Sequence, residues 1–391
     1  MSPRLPFRAL LTCTTILAAA CGGEPQPSDT GGTGGHSAAS SGPGGAGGAA
    51  ACPEGSHDEA GTCAATLDAW QPAPSIAHAR DHHVTFAVDT PAGSFLYVLG
   101  GAVDMEEAVF SIERSAIAAD GALGPWEEIA GTLAAVGPSV GVAGQRVLVT
   151  GGLRSTGKVS AATSLLTVGD DGAIAIAPGP EMLHPRFHHA MVREGDWLYA
   201  VGGAQLDATS QTSVERIHFD ADGAGTWIED SPLPKPRSHH ALVAHDGALY
   251  AIAGLFRYDG DPFPYADKDF ADILRATIAD DGSLGEWTTV GQLPDVLAVH
   301  TAFVHLDQLY VVGGLEGAGA GAEFVGKVQR ADIAKDGSIG AFETLSSALP
   351  IARGHCHQVP RVGAAVYSVA GAAEVGAAMK SQVESFVAHL E

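Results

Sequence analysis

Basic residues are scarce in this chain of 391 residues. Lysine and arginine number 21 against 45 aspartates and glutamates, so the formal net charge is −24. A nucleic-acid-binding protein needs a basic surface opposite the phosphate backbone, and this composition excludes that class of partner. The sequence also lacks a Walker A loop, an HExxH zinc motif and a Gly-x-Ser-x-Gly elbow. The common signatures of nucleotide binding, metalloproteolysis and serine hydrolysis are therefore missing.

Cysteine is rare as well, with five residues in the chain. Cys52 and Cys63 bracket a polar loop that has no core of its own, where a disulfide would stabilise the segment. A metal knuckle that includes His57 and Asp58 is the alternative, and an oxidising compartment favours the disulfide. Cys356 has apolar neighbours, which predicts a buried free thiol rather than a reactive one.

The sequence has one long apolar run, at its N-terminus. Arg4 and Arg8 precede apolar residues 9–20, and Leu-Ala-Ala-Ala stands directly before Cys21. A basic start, a short apolar core and small residues before a cleavage point predict a secretory signal peptide over residues 1–20. Its end resembles the lipobox of bacterial lipoproteins, which implies that Cys21 is lipidated. An ordinary signal peptide with a coincidental cysteine is the alternative.

Glycine, alanine, serine, threonine and proline dominate residues 22–51, and this composition predicts that residues 21–63 form a flexible tether. Gly22, by the same resemblance, is compatible with transfer to the outer membrane. We therefore expect a lipoprotein of the cell envelope, in the outer membrane and facing the periplasm or the cell surface. Its contact with the membrane would be through lipid alone.

A seven-residue phrase recurs six times in the remaining chain. It reads FLYVLGG from Phe95, RVLVTGG from Arg146, WLYAVGG from Trp197, ALYAIAG from Ala248, QLYVVGG from Gln308 and AVYSVAG from Ala365. The starts are 51, 51, 51, 60 and 57 residues apart. A fixed period near 50 residues predicts a repeat architecture.

The residue pattern of each repeat predicts four antiparallel strands. The first follows an Arg-x-x-His motif, the phrase forms the second, the third ends in Asp-Gly, and the fourth carries an aromatic residue such as Trp126. Asp-Gly is a strong hairpin signal, with both turn positions expected at positive φ. This pattern resembles the Kelch repeat over residues 64–391, in which each repeat forms one blade of a propeller. Blade two departs most, because it has Ala135, Pro138 and Leu148 in place of the Arg, His and Tyr. The resemblance implies an all-β, six-bladed propeller.

The last repeat lacks a fourth strand before Glu391. A matching aromatic segment, residues 66–72 with Trp70, lies at the other end of the domain. We expect this segment to complete blade six and to close the ring, which would remove an open sheet edge. A simple linker is the alternative.

The longest insertion, residues 255–269 in blade four, is one candidate ligand-binding surface. It carries Phe256, Tyr258, Phe263 and Tyr265 together with four aspartates. Aromatic rings interleaved with carboxylates suit a sugar, a cationic group or bound Ca²⁺. A packed surface loop with solvated acids is the alternative.

Histidines and arginines of the Arg-x-x-His motif form a second candidate site. The last histidine of the motif is expected to be a scaffold residue that bonds between blades, and it occurs as His83, His189, His240 and His300. The residue before it and the motif arginine are predicted to bind a ligand at the channel mouth, and they are His82, His188, His239, His355, Arg80, Arg186, Arg237 and Arg353. Four guanidiniums could hold an anion, and four imidazoles could ligate a transition metal. Plain repeat consensus is the alternative to both.

The sequence thus favours a lipid-anchored, extracytoplasmic Kelch-type binding module whose ligand is a protein or a glycan. We expect a monomer without a cofactor. Because the Kelch family includes sugar epimerases and copper-dependent galactose oxidases, a carbohydrate-active enzyme is the alternative, although fold alone does not license the activity. A structural or adhesive surface protein is the third class.

Overall fold

The structure is a computed structural model. It describes residues 52, 56–59, 62–104, 107–154, 157–205, 209–256, 270–317, 321–374 and 379–391. The predicted signal peptide, Cys21, and the loop residues Tyr258, Phe263 and Tyr265 lie outside these residues. Within them the elements are β-strands, which confirms the all-β class. No helix in these ranges is long and apolar enough to cross a membrane.

Most strands belong to six four-stranded antiparallel sheets, numbered here in chain order. They are sheet 1 (Val84–Thr90, Gly93–Leu99, Ser111–Ile117, Glu127–Thr132), sheet 2 (Ser139–Ala143, Arg146–Thr150, Thr163–Val168, Ile174–Pro178), sheet 3 (Ala190–Glu194, Trp197–Val201, Val214–His218, Ile228–Asp230), sheet 4 (Ala241–His245, Ala248–Gly254, Phe270–Thr277, Thr288–Gln292), sheet 5 (Thr301–His305, Gln308–Val312, Val328–Asp332, Glu343–Thr344) and sheet 6 (Arg361–Val362, Ala365–Val369, Ser385–His389, Gln71–Ala73).

Short pairings complete the described strands. They are His57–Glu59 with Thr62–Ala64, Ala102–Val103 with Glu107–Ala108, Ala372–Ala373 with Lys380–Ser381, and Leu297–Ala298 with Leu315–Glu316 and Glu323–Phe324. Cys63, in the second strand of the first of these pairings, forms the predicted disulfide with Cys52, with Cα atoms 5.5 Å apart. Cys356 is a buried free thiol, as predicted.

The Asp-Gly turns differ from the expectation of two positive φ angles. Gly121, for example, has φ 83°, whereas Asp120 is not in the left-handed region. The amide of Gly121 donates to Ala118 O and the amide of Ala118 to Ala122 O, both at 2.9 Å. This is the pattern of a type I turn followed by a left-handed glycine, so only the glycine needs the positive angle.

The sheets pack face to face through their second strands. The tyrosine of the repeated phrase reaches the Asp-Gly turn of the following sheet, because its hydroxyl donates to Gly172 O from Tyr97 (2.8 Å) and to Gly282 O from Tyr199 (2.7 Å). Tyr367 in sheet 6 donates in the same way to Gly121 O in sheet 1, at 2.8 Å. The tyrosine bond thus recurs between sheets 1 and 2, between sheets 3 and 4, and between sheets 6 and 1.

The outermost strand of sheet 6 comes from the N-terminal side of the domain. Gln71–Ala73 pairs with residues 385–387, and Leu67 forms a bridge to Leu390. The strand thus begins later than the predicted segment 66–72, although that whole segment runs beside the last strand. Trp70 is buried, and its indole N–H donates to Ser347 O in sheet 5 at 3.1 Å. Trp227 and Trp287 make the equivalent bond to the preceding sheet.

We expect Trp70→Ala to lower the free energy of unfolding by about 3–5 kcal/mol, because it removes a large buried ring and leaves a cavity between two sheets. Urea unfolding followed by circular dichroism measures this change. The neighbouring exposed substitution Gln71→Ala is the matched control, with an expected change within about 0.5 kcal/mol. Equal effects of the two substitutions would show that the N-terminal segment contributes little to the domain.

Candidate functional site

The residue two positions after the motif arginine, or after Ala135 and Leu297 where the arginine is replaced, forms a closed cycle of backbone hydrogen bonds. Each N–H donates to the carbonyl of its counterpart in the preceding sheet at 2.8–3.0 Å, and the N–H of His82 donates to His355 O. The six members, called the hydrogen-bonded ring below, are His82, Gly137, His188, His239, Val299 and His355. Their φ angles lie between 51° and 63°. This left-handed conformation is unusual for residues other than glycine.

Four ring members place imidazoles in one cluster with a fifth, His357. The ring centroids of His82 and His355 lie 3.9 Å apart, as do those of His188 and His239. His357 lies 5.4 Å from His188. The four predicted histidines are therefore brought together. The sequence analysis missed His357, and its signal is the His-Cys-His run at 355–357, which differs from the motif in the other blades.

His82, His188, His239, His355 and His357 are called the histidine cluster below, and burial keeps the last four without charge. Burial, reinforced by the neighbouring imidazoles, lowers the pKa of His188, His239 and His355 well below the ordinary value. The pKa of His357 falls to about 3 for the same reasons. These four side chains are neutral at pH 7, since charged imidazoles would lack both solvent and counter-ions.

His82 differs because it has a carboxylate partner. Its Nδ1 hydrogen-bonds the buried Asp81, whose other oxygen accepts a bond from Ser381 Oγ at 2.5 Å. Nε2 of His82 is buried and has no hydrogen-bond partner among the described residues. Nδ1 of His188 and Nδ1 of His355 share that condition.

The arrangement bears on both ligand predictions for the histidines. Neutral imidazoles offer an anion no positive charge. For a metal, no three His, Cys, Asp or Glu side chains in the described part of the chain are arranged to hold an ion. Two pairs of imidazoles lie close together instead, with ring centroids 3.9 Å apart; His188 and His239 are stacked, and His82 and His355 are tilted by 30°.

The predicted arginines are buried in the scaffold, although Nε of Arg237 and Nη2 of Arg353 have no hydrogen-bond partner among the described residues. The Arg80 guanidinium donates to Gly100 O, to Ser111 O and to Glu113, and both charged side chains are inaccessible to solvent. Arg186 repeats these bonds with Gly202, Ser213 and Glu215.

The other two arginines are buried too, with different partners. Arg237 pairs with Asp272 at 3.1 Å and lies over the Phe270 ring. Arg353 has Phe386 opposite it at 4.8 Å. All four guanidiniums thus point into their own sheets rather than towards a shared anion, so we propose no ligand contact for them.

The last histidine of the motif is a buried packing residue, and the expected bond between blades is made by His189, whereas neither ring nitrogen of His240 has a hydrogen-bond partner among the described residues. His189 Nε2 lies 2.8 Å from Thr150 Oγ1 in the preceding sheet. Its Cβ also lies against the Gly-Gly pair of its own sheet, where a Cβ on Gly203 would stand only 2.8 Å away. His240 and Gly254 show the same approach, at 2.7 Å. Arg-x-x-His and Gly-Gly are therefore two halves of one contact.

A cavity of about 290 Å³ adjoins the cluster. The first strands or the residues just before them in all six sheets line it, and His239 and His357 form part of its wall. Its lining contains five histidines and one arginine but no aspartate or glutamate. Phe256, at the edge of the blade-four insertion, is half-buried. The rest of that predicted aromatic surface lies outside the described residues.

Comparison with known proteins gives short, distant matches. Human Kelch-like protein 41 is 25% identical over 160 residues, which is 38% of this chain and 25% of that protein. Human Kelch-like protein 33 is 31% identical over 149 residues, or 38% and 25% of the two chains. Beta-scruin of Limulus polyphemus is 28% identical over 134 residues, or 34% and 14%.

The matched part is a quarter or less of the length of these relatives. No protein-family model matches the chain. With the antiparallel four-stranded sheets, the matches support a Kelch-type repeat protein and are consistent with a Kelch β-propeller.

We expect Glu113→Gln to lower the free energy of unfolding by about 3–5 kcal/mol, because it leaves the buried Arg80 charge without its partner. Urea unfolding at pH 7 measures the loss. Glu128→Gln is the matched control in the same sheet, since Glu128 is 58% exposed in its pair with His78, and we expect a change of about 0–1 kcal/mol. A Glu113 variant as stable as the Glu128 variant would contradict the scaffold role of the arginines.

Proposed function

We propose that the chain is a lipid-anchored interaction module, a closed six-bladed Kelch propeller that binds a protein partner on its Arg-x-x-His face. This face comprises the loops before the first strand and after the second strand of each sheet. The propeller would be held outside the inner membrane by Cys21 and by the tether of residues 21–63.

The closed cycle of the hydrogen-bonded ring is the observation that carries this proposal. Six sheets each contribute one residue, and the bond from His82 N to His355 O joins the first sheet to the last. Gly371 N also donates to Arg80 O at 3.0 Å, which repeats across the same junction the bond from Gly152 N to Arg186 O. These contacts support six blades and a closed ring.

Binding is favoured over catalysis because the arginines and the clustered imidazoles are buried. The arginines bond to their own sheets, and the clustered imidazoles pack on one another. A general base has to reach a substrate proton at hydrogen-bond distance, and the buried nitrogens of His188 and His355 that lack partners have no access to one. A rigid scaffold that presents loops is the architecture of a recognition module. The Kelch-type repeats of the relatives favour a protein as the partner.

The anchor is tested by Cys21→Ser in the full chain. We expect the unmodified chain to sediment with outer membranes and to incorporate radiolabelled palmitate. The variant should lose the label and be released into the soluble envelope fraction, because it lacks the acyl chains. Cys356→Ser is the matched control and should keep both properties. Equal labelling of the Cys21 variant would contradict lipidation at this residue.

The binding face is tested by site-specific photo-crosslinking in cells. A photoreactive amino acid at Phe256 lies after the second strand of sheet 4, on the proposed face, and one at Asp246 lies in the turn between its first and second strands, on the opposite face. We expect discrete protein adducts from position 256 and none from position 246. Adducts from both positions, or from position 246 alone, would contradict the assignment of the face.

A further inference from the structure

The histidine cluster lies where all six sheets meet. His82, His188 and His239 belong to sheets 1, 3 and 4, and His355 and His357 lie at the start of sheet 6. Eight pairs of their ring centroids are separated by 3.9–6.3 Å. The same residues supply four of the six members of the hydrogen-bonded ring. Any change in the charge of the imidazoles therefore acts directly on the bonds between sheets.

Among the described residues, the carboxylate that contacts the cluster is that of Asp81, on the sheet 1 side. The neighbours from the other elements are Gly137 from sheet 2, Phe187 from sheet 3, Ser238 from sheet 4, Val299 and Phe324 from sheet 5, and Cys356 from sheet 6. Burial raises the pKa of the Cys356 thiol to about 11, so this thiol stays neutral.

The motif arginines add positive charge, which opposes protonation of the histidines near them. Burial and, after it, the positive charge of Arg80, Arg186 and Arg237 lower the pKa of the last histidine of each of these motifs. These histidines stand directly beside ring members in the chain. Additional protons in this region thus meet positive charge and one carboxylate, which is already bonded to His82 and Ser381.

We propose that the histidine cluster holds the sheets together at neutral pH and releases these contacts in acid. In a mildly acidic medium, protons taken up by the imidazoles break their mutual contacts and open the hydrogen-bonded ring, while the outer strands of each sheet stay paired. Acidification would therefore loosen the Arg-x-x-His face before it unfolds the domain. This regulation does not depend on the identity of the partner or on lipid anchoring.

The direction follows from the difference in proton affinity between the two states. An exposed imidazole has a pKa of about 6.5, and the closed state lowers that pKa for His188, His239 and His355, and to about 3 for His357. The open state then binds more protons below pH 6.5. The contribution of these imidazoles to the stability of the closed state is fully present above that pH and is lost progressively as the pH falls. Each imidazole raises the ratio of open to closed molecules by up to about tenfold per pH unit.

Cys356 provides a local probe of this opening. Its buried Sγ lies next to ring member His355 and 3.5 Å from Ala370 O. In the full chain carrying Cys13→Ser and Cys21→Ser, with Cys52 and Cys63 joined as a disulfide, Cys356 is the remaining thiol. Its reaction with 4,4′-dithiodipyridine, a reagent that works in acid, is measured from pH 7.5 to 4.5 beside the far-UV circular dichroism of the same samples.

We expect the rate constant, corrected for a small thiol at the same pH, to rise about tenfold or more between pH 6.5 and 5.5 while the circular dichroism is unchanged. The double variant His188→Gly, His239→Val copies Gly137 and Val299, the residues that the chain itself uses at equivalent ring positions. It should shift the rise to lower pH by about one unit. His184→Gln, which changes a histidine with a 41% exposed side chain, should leave the profile unaltered.

Two results would overturn the proposal. One is a rate constant that stays flat until the circular dichroism signal is lost, which means that acid acts on the whole domain. The other is a double variant whose profile coincides with that of the unsubstituted chain. If the double variant already reacts fast at pH 7.5, the single substitution His239→Val replaces it, with an expected shift about half as large.

Discussion

The hydrogen-bonded ring is the constraint on which the rest of the structure depends. Each member accepts a bond from one neighbouring sheet and donates to the other, and all six have φ near 55°. That conformation costs on the order of 1 kcal/mol or more for a residue other than glycine. Val299 shows the constraint most clearly, because a β-branched side chain is rarely found there. Its backbone is held by bonds to His239 and His355.

The repeated motifs can be understood as the means of placing these six residues. The second glycine of each pair gives room to the histidine beside the ring, as the close approach of Gly203 to His189 shows. The motif arginine then fixes the loop by bonding to the carbonyl of the first glycine, as Arg186 does with Gly202. Where blades four and six have alanine at that first position, Ala253 and Ala370 adopt the same left-handed conformation at φ 52°.

Much of the fold could be predicted from the sequence, because strands, turns and the segment around Trp70 follow local patterns that repeat. The candidate site was harder to predict from the sequence. The arginine pattern indicated an anion cradle, whereas the guanidiniums bond to Glu113, Glu215 and backbone carbonyls. Which partner satisfies a side chain depends on residues far away in the chain. His357 was missed for the same reason, since its contact with His188 spans residues from sheets 3 and 6. The expected pair of positive φ angles at Asp-Gly was wrong because a type I turn needs none, and only the glycine that follows it, as at Gly121, is left-handed.

Amide hydrogen exchange in the intact chain at pH 7.5, resolved for the six members of the hydrogen-bonded ring, tests the central claim most directly. A closed ring opens only when sheets separate. The account therefore predicts that all six amides exchange in the slowest class, with the His82 amide, which bonds to His355 between the first and last sheets, as protected as that of His188. A His82 amide that exchanges much faster than those of Gly137, His188, His239 and Val299 would contradict it, because the ring would then be open at that junction.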